Sequence, residues 1–213
     1  MHPAPDAQTA SIIGAGSTVE AFFGAGALVL SILGLLGVLP FYMVSIATIA
    51  IGAGLLIETA GVAARYRNIS YQTRMTEQQR SELGGGAGIG MLGGAAGVVL
   101  GILALLNVAP GTLLPVAAIC FGVALTLNAA ETVSTSSLVT PSDTPNVRRV
   151  TNLSAMIQVF TGVAAAVLGI LVLVGVSGAF AMLLVAMLCV GIGELIVGAV
   201  SGTRRMNWRY RWF

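Results

Sequence analysis

Six stretches of the chain are apolar almost without interruption, and each is long. They run from about Ser17 to Leu39, Phe41 to Ala64, Ala87 to Ala109, Gly111 to Val133, Ala155 to Val176 and Gly178 to Gly202. None alternates with period two, so none reads as a half-buried strand. About 20 apolar residues rising 1.5 Å each cross the hydrocarbon of a bilayer. Unpaired backbone groups are not tolerated there, which leaves helices as the element. The pattern predicts an all-α membrane protein with six transmembrane helices.

The runs repeat. LVLSILGLLGVLP, Leu28 to Pro40, matches VVLGILALLNVAP, Val98 to Pro110, and AVLGILVLVGVSG, Ala166 to Gly178. Each copy ends in a very tight turn followed by a second apolar run rich in small residues. The expected organisation is three parallel hairpin repeats, 17–64, 87–133 and 155–202. They are joined by polar linkers over 65–86 and 134–154 and flanked by tails over 1–16 and 203–213. A unit with two crossings returns to its starting side, so all three copies share one orientation. Inverted repeats of the kind found in many secondary transporters need an odd number of crossings per copy.

Charge fixes the expected orientation. There is no lysine, and all ten basic residues are arginines. They fall in the first linker (Arg65, Arg67, Arg74, Arg80), the second (Arg148, Arg149) and the C-terminal tail (Arg204, Arg205, Arg209, Arg211). The positive-inside rule reads these segments, and both termini, as cytoplasmic. Composition agrees with the membrane reading: hydrophobic residues make up 56% of the 213 positions, charged residues 8%, and mean hydropathy is +0.95. Met1 to Ser17 lacks a basic stretch followed by an apolar core, so it does not read as a secretory signal.

The hairpins resemble the short-repeat membrane proteins typified by HdeD. The matching stretches are GALVLSILGLLGVLP with GAGLLIETAGVAARY, GVVLGILALLNVAP, and AVLGILVLVGV with GIGELIVGAVSGTRR. The glycine tract over 84–94 and the aromatic C-terminus depart from that pattern. The resemblance implies a small protein of the bacterial inner membrane associated with acid stress. It brings no catalytic residue to carry over.

Candidate chemistry rests on carboxylates inside apolar runs, because an ionisable group in a membrane segment is costly. Glu20, Glu58, Glu131 and Glu194 are such residues. Glu194 precedes Arg204 by ten residues, roughly 15 Å of helix, which places it near the middle of the membrane. Glu58, Glu131 and Glu194, with Asn128, form a candidate ion or proton site between the second helices of the repeats. The alternative is an interhelical polar site, in which the glutamates bond to Thr59, Asn128 or Gln158 and hold the bundle together. Superposed by their turns, the copies do not align these residues: position 58 matches Asn128 and Ile196. That mismatch favours the structural alternative.

Gly86, Gly90, Gly93, Gly94, Gly97 and Gly101 supply several GxxxG spacings, which let helices approach closely. They predict tight packing of the third helix, within the bundle or against a partner. The literal GxGxxG at Gly88, Gly90 and Gly93 lies inside a membrane span, with no strand before it, and is not a dinucleotide fingerprint. In the tail, Arg205, Trp208, Arg209, Tyr210, Arg211 and Trp212 suit an interfacial anchor or a docking segment for a partner subunit. Ten residues beside a membrane make a poor nucleic-acid footprint. His2 is the only histidine, so multi-histidine metal sites and histidine-based triads have nothing to build on. No cofactor is expected. Cys120 and Cys189 sit inside apolar runs and read as small hydrophobes. The expectation is a non-enzymatic protein with the lipid bilayer as its surroundings, either a homo-oligomer or a subunit of a larger membrane complex. The alternative is a conductor of protons, ions or small solutes.

Overall fold

A computed structural model describes the backbone of residues 7–72, 77–139 and 145–209, and side chains at 19 and over 21–60, 88–129 and 152–199. Among the described residues the chain is all-helical: α1 (Ala7–Leu35), α2 (Pro40–Gln72), α3 (Glu77–Leu105), α4 (Pro110–Val139), α5 (Pro145–Leu173) and α6 (Ala179–Arg209). Five contain a span long and apolar enough to cross a membrane: Pro40–Ala60, Gly88–Leu105, Pro110–Ala129, Asn152–Leu173 and Ala179–Ala199. In α1 the apolar portion among described residues, Ala21–Leu35, is shorter. The helices outrun the apolar runs that predict them. Much of the polar segments over 65–86 and 134–154 is helical; in the first, Arg, Gln and Glu sustain a helix in water as well as any residue but Ala.

The three tight turns close by one mechanism. At the end of α1, Gly37 N–H donates to Gly34 C=O (3.0 Å) and Val38 N–H to Leu33 C=O (3.1 Å). At the end of α3, Asn107 N–H donates to Ala104 C=O and Val108 N–H to Leu103 C=O; at the end of α5, Gly175 and Val176 do the same to Val172 and Leu171. This is the Schellman pair, which satisfies carbonyls a helix end would leave orphaned and requires a left-handed residue. Gly37, Asn107 and Gly175 take that place with φ of 89°, 61° and 89°. Asparagine is the side chain that most readily substitutes for glycine there. Pro40 and Pro110 then open α2 and α4, where a missing N–H costs nothing. The third turn is one residue longer, and α6 begins at Ala179.

Each helix packs most extensively on two neighbours. The largest contacts are α4 with α5, α1 with α6 and α2 with α3, followed by the pairs joined through the turns. The α1–α6 contact joins the two ends of the chain and closes a ring. Smaller contacts link α2, α4 and α6 to one another, so these three line the inside. Their buried stripes recur at i, i+4, i+7 and i+11, the spacing of one helix face. They are Val44, Thr48, Ile51 and Leu55; Leu114, Ala118, Phe121 and Leu125; and Leu183, Met187, Val190 and Glu194, all 0–2% exposed. The outer helices α1, α3 and α5 carry the largest exposed side chains. Phe22, Leu92 and Phe160 are 73–75% exposed, an apolar rim suited to lipid and not to water.

Candidate functional site

Glycines set how closely the helices approach. A Cβ at Gly52 of α2 would stand 2.7 Å from Gly94 O and 2.7 Å from Val98 N of α3. A Cβ at Gly122 of α4 would meet Gly162 O and Ala166 N of α5, and one at Gly24 of α1 would stand 2.9 Å from Gly191 O of α6. Real Cβ atoms are essentially never found at such distances from backbone. Each seam is therefore built on a glycine-to-glycine contact, the small-residue packing that replaces hydrophobic drive inside a bilayer. The glycine tract of α3 is spent in the same way. Gly94 and Gly101 face α2, Gly93 and Gly97 face Ala124 and Phe121 of α4, and Gly90 faces Thr59 and Asn128. These five pack inside the bundle.

Buried hydroxyls turn back on their own helices. Thr48 donates to Val44 O (2.7 Å), Thr59 to Leu55 O (2.8 Å), Thr126 to Gly122 O (2.7 Å) and Thr161 to Ile157 O (2.9 Å). Such bonds satisfy the hydroxyl without tying helices together. Thr48 Oγ1 also lies 3.7 Å from Met187 Sδ, a contact between inner helices.

The glutamates occupy a different kind of position. Glu194 is 1% exposed and emerges from α6 beside Gly24 of α1, where a Cβ would be 3.2 Å from its own Cβ. Its carboxylate reaches α2, with Oε2 3.2 Å from a Cβ built on Gly54. It thus fills the junction of α1, α2 and α6. The stripes put it in line with Leu55 and Leu125, and the contacts agree: a Cβ on Gly162 would be 3.2 Å from Leu125 Cβ, as one on Gly24 is from Glu194 Cβ. The carboxylate occupies a place that is leucine on the other two inner helices. It lies within the apolar span Ala179–Ala199 of the described residues.

Glu58 is half-buried and stands one turn beyond Gly54 on α2. Asn128 of α4 lies beside Gly90 of α3, with Nδ2 3.1 Å from a Cβ built there. Glu194 and Asn128 therefore face different junctions, the first α1–α2–α6 and the second α2–α3–α4, with α2 common to both. The extra residue in the third turn moves the register: with Pro40, Pro110 and Ala179 as helix starts, position 58 meets Asn128 and Val197, not Ile196. Gly86 belongs to the backbone of α3, and Arg205, Trp208 and Arg209 to that of α6; the side chains of Glu20, Glu131, Arg205, Trp208 and Arg209, and all of Tyr210, Arg211 and Trp212, lie outside the described residues. Among the described residues no three His, Cys, Asp or Glu side chains gather into a set that could hold a metal. What the arrangement offers is an acidic group in an apolar junction, able to carry a proton or to act as a polar wedge.

Gly24, Gly52, Gly54, Gly122, Gly162 and Gly191, which shape the seams, are missed by a search for GxxxG in one helix. Their signal is recurrence: Gly24 and Gly94, like Gly52 and Gly122, lie 70 residues apart.

No protein family, curated protein or solved structure matches the chain. The apolar helices define its class, a multi-pass helical membrane protein.

Proposed function

We propose that the chain is a non-enzymatic structural or accessory protein of a membrane assembly, built from three repeats of one hairpin. Six crossings, with both termini in the cytoplasm of a bacterial inner membrane, follow from the arginine placement and the resemblance to HdeD-like proteins. That resemblance also supports association with acid stress. The observation that carries the accessory reading is the inside of the ring. Twelve inner-stripe residues are 0–2% exposed, so the middle is filled with side chains and the bundle is solid. Its exposed face is aliphatic and aromatic, the chemistry of lipid and of other membrane helices.

Purification from the native membrane in mild detergent, with particle sizing and mass spectrometry, tests this. A stoichiometric complex with other subunits is the expected result. A bare monomer or homo-oligomer that changes liposome permeability would overturn it.

The second reading is proton or ion conduction by Glu58, Asn128, Glu131 and Glu194. It is favoured by the burial of Glu194 and by the nearness of its carboxylate to Gly54, one turn from Glu58. Liposome flux across a pH gradient decides it: the Glu194→Gln variant should abolish flux, and undiminished flux ends this reading.

A further inference from the structure

We infer that the three tight turns form a lipid-binding face, seated in the headgroup layer of the leaflet opposite the arginines and not in water. Arginine supplies the ruler. Arg65 on α2 stands 25 residues from Pro40, Arg80 on α3 25 from Leu105, Arg149 on α5 24 from Leu173, and Arg204 on α6 25 from Ala179. Each stretch is unbroken helix, so each measures about 36–38 Å. That is longer than the hydrocarbon, about 30 Å, and shorter than the whole bilayer, about 40–45 Å. A helix with its arginine at one headgroup layer therefore ends in the other.

The face has the chemistry of that layer. No charged residue occurs over 21–57, 83–130 or 150–193, so all three turns are neutral. Leu36 and Val174 are 75% exposed, Leu106 68% and Leu39 61%, an apolar surface that soluble proteins rarely present to water. Its polar side chains are Asn107, Thr112, Ser177 and Tyr42, all exposed and all neutral. The Tyr42 ring lies 5.2 Å from that of Phe41, which also meets Phe180 at 6.3 Å. Aromatic rings with a polar tip collect at the membrane interface. The backbone bounds the depth from the other direction. Gly37, Val38 and their counterparts in the other turns place their N–H groups on helix carbonyls without water, and Pro40 and Pro110 have no N–H to place. The first-turn N–H groups of α2, α4 and α6 have no intrahelical acceptors; headgroup oxygens supply them and hydrocarbon does not. Such a face gives a soluble protein no charge to hold. Under the accessory reading above, the partner is then reached through the helices in the membrane plane or from the arginine side; the depth of the turns stands without that reading.

Spin labels placed singly at Leu36, Leu106 and Val174, in the full chain with Cys120 and Cys189 replaced by alanine, test this in phosphatidylcholine nanodiscs. Power saturation compares collisions with oxygen, which concentrates in hydrocarbon, and with a neutral nickel chelate, which stays in water. Labels at Phe22, Leu92 and Phe160 mark the hydrocarbon, since each lies 13 residues inside its helix end at Leu35, Leu105 or Leu173, about 20 Å. The three turn labels should share one oxygen-to-nickel ratio, between that of the hydrocarbon labels and that of free label in water. A nickel chelate carried on a lipid headgroup should relax them at least twice as strongly as it relaxes the hydrocarbon labels. Nickel collisions as frequent as in water would put the face outside the membrane, and a ratio equal to that of the hydrocarbon labels would bury it. Shielding from both probes would show that protein covers it. Any of the three overturns the inference. The turn sites are exposed and equivalent, so two of them decide the matter even if one labelled chain does not insert.

Discussion

Replacing Gly122 by alanine puts the seam geometry to a quantitative test. The added Cβ would lie 2.7 Å from Ala166 N, about 0.7 Å short of ordinary contact at 3.4 Å, and closer still to Gly162 O. Both obstacles are backbone, so no side chain can swing aside, and α4 and α5 must separate along the seam. Forcing extra volume into a packed contact costs about 1–3 kcal/mol. Alanine also favours the helix by about 1 kcal/mol over glycine, which masks part of that cost. Gly26→Ala supplies the correction: a Cβ there meets nothing within 4 Å, so it gains the helix term without the clash. The difference in unfolding free energy between the two variants should be about 1–3 kcal/mol, Gly122→Ala being the weaker. Reversible unfolding in mixed micelles, followed by far-ultraviolet circular dichroism, measures it. A difference below about 0.5 kcal/mol would refute the reasoning, because a real backbone contact cannot cost so little.

Other perturbations separate the remaining parts of the account. Gly37→Ala and Gly175→Ala, at φ of 89°, should each be about 2–3 kcal/mol less stable than Gly26→Ala in the same assay, and an outcome equal to Gly26→Ala would remove the left-handed turn from the argument. Glu194→Leu should insert and unfold with unchanged or higher stability, since leucine fills the matching place on α2 and α4, whereas Glu194→Lys should lose about 2–4 kcal/mol; a Leu variant that unfolds would show the carboxylate to be a required strut. With Trp208 and Trp212 replaced by phenylalanine, brominated lipid should quench Phe22→Trp strongly and Phe121→Trp weakly, since Phe22 is 75% exposed and Phe121 fully buried; equal quenching would contradict the inside–outside assignment. Single cysteines at Leu36, Leu106 and Val174, in a chain lacking Cys120 and Cys189, should all react with an impermeant maleimide from the side opposite the termini, and a split result would break the parallel-hairpin proposal.

Much of the fold was legible in one dimension. The length of the apolar runs foretold five of the spans found among the described residues, because bilayer thickness fixes how many residues a helix needs. The tight turns were visible as short breaks between paired apolar runs, but not the helix ends, which the left-handed residues Gly37, Asn107 and Gly175 bring several residues earlier, to Leu35, Leu105 and Leu173. The recurring motif is what the three-hairpin proposal rests on, and the density of glycine in α3 pointed to close contacts such as those of Gly94 and Gly97. The carboxylates could be singled out, but not where they point.

Three matters were left to the tertiary structure. The first is which helices are inside. In water an inner face differs from an outer one in polarity, but in lipid both are apolar, so the pattern that separates α2, α4 and α6 from α1, α3 and α5 carries no periodic signal. The second is closure: Gly24 and Gly191 belong to opposite ends of the chain, and only packing brings them together. The third is register. One added residue in the third turn carries Glu194 into line with Leu55 and Leu125 and sets Val197 opposite Glu58 and Asn128. Sequence alone determined that acids lie within the membrane segments. Because a helix turns about 100° per residue, a one-residue shift redirects a side chain to another neighbour, and so the ring decided that Glu194 stands against α1 and α2.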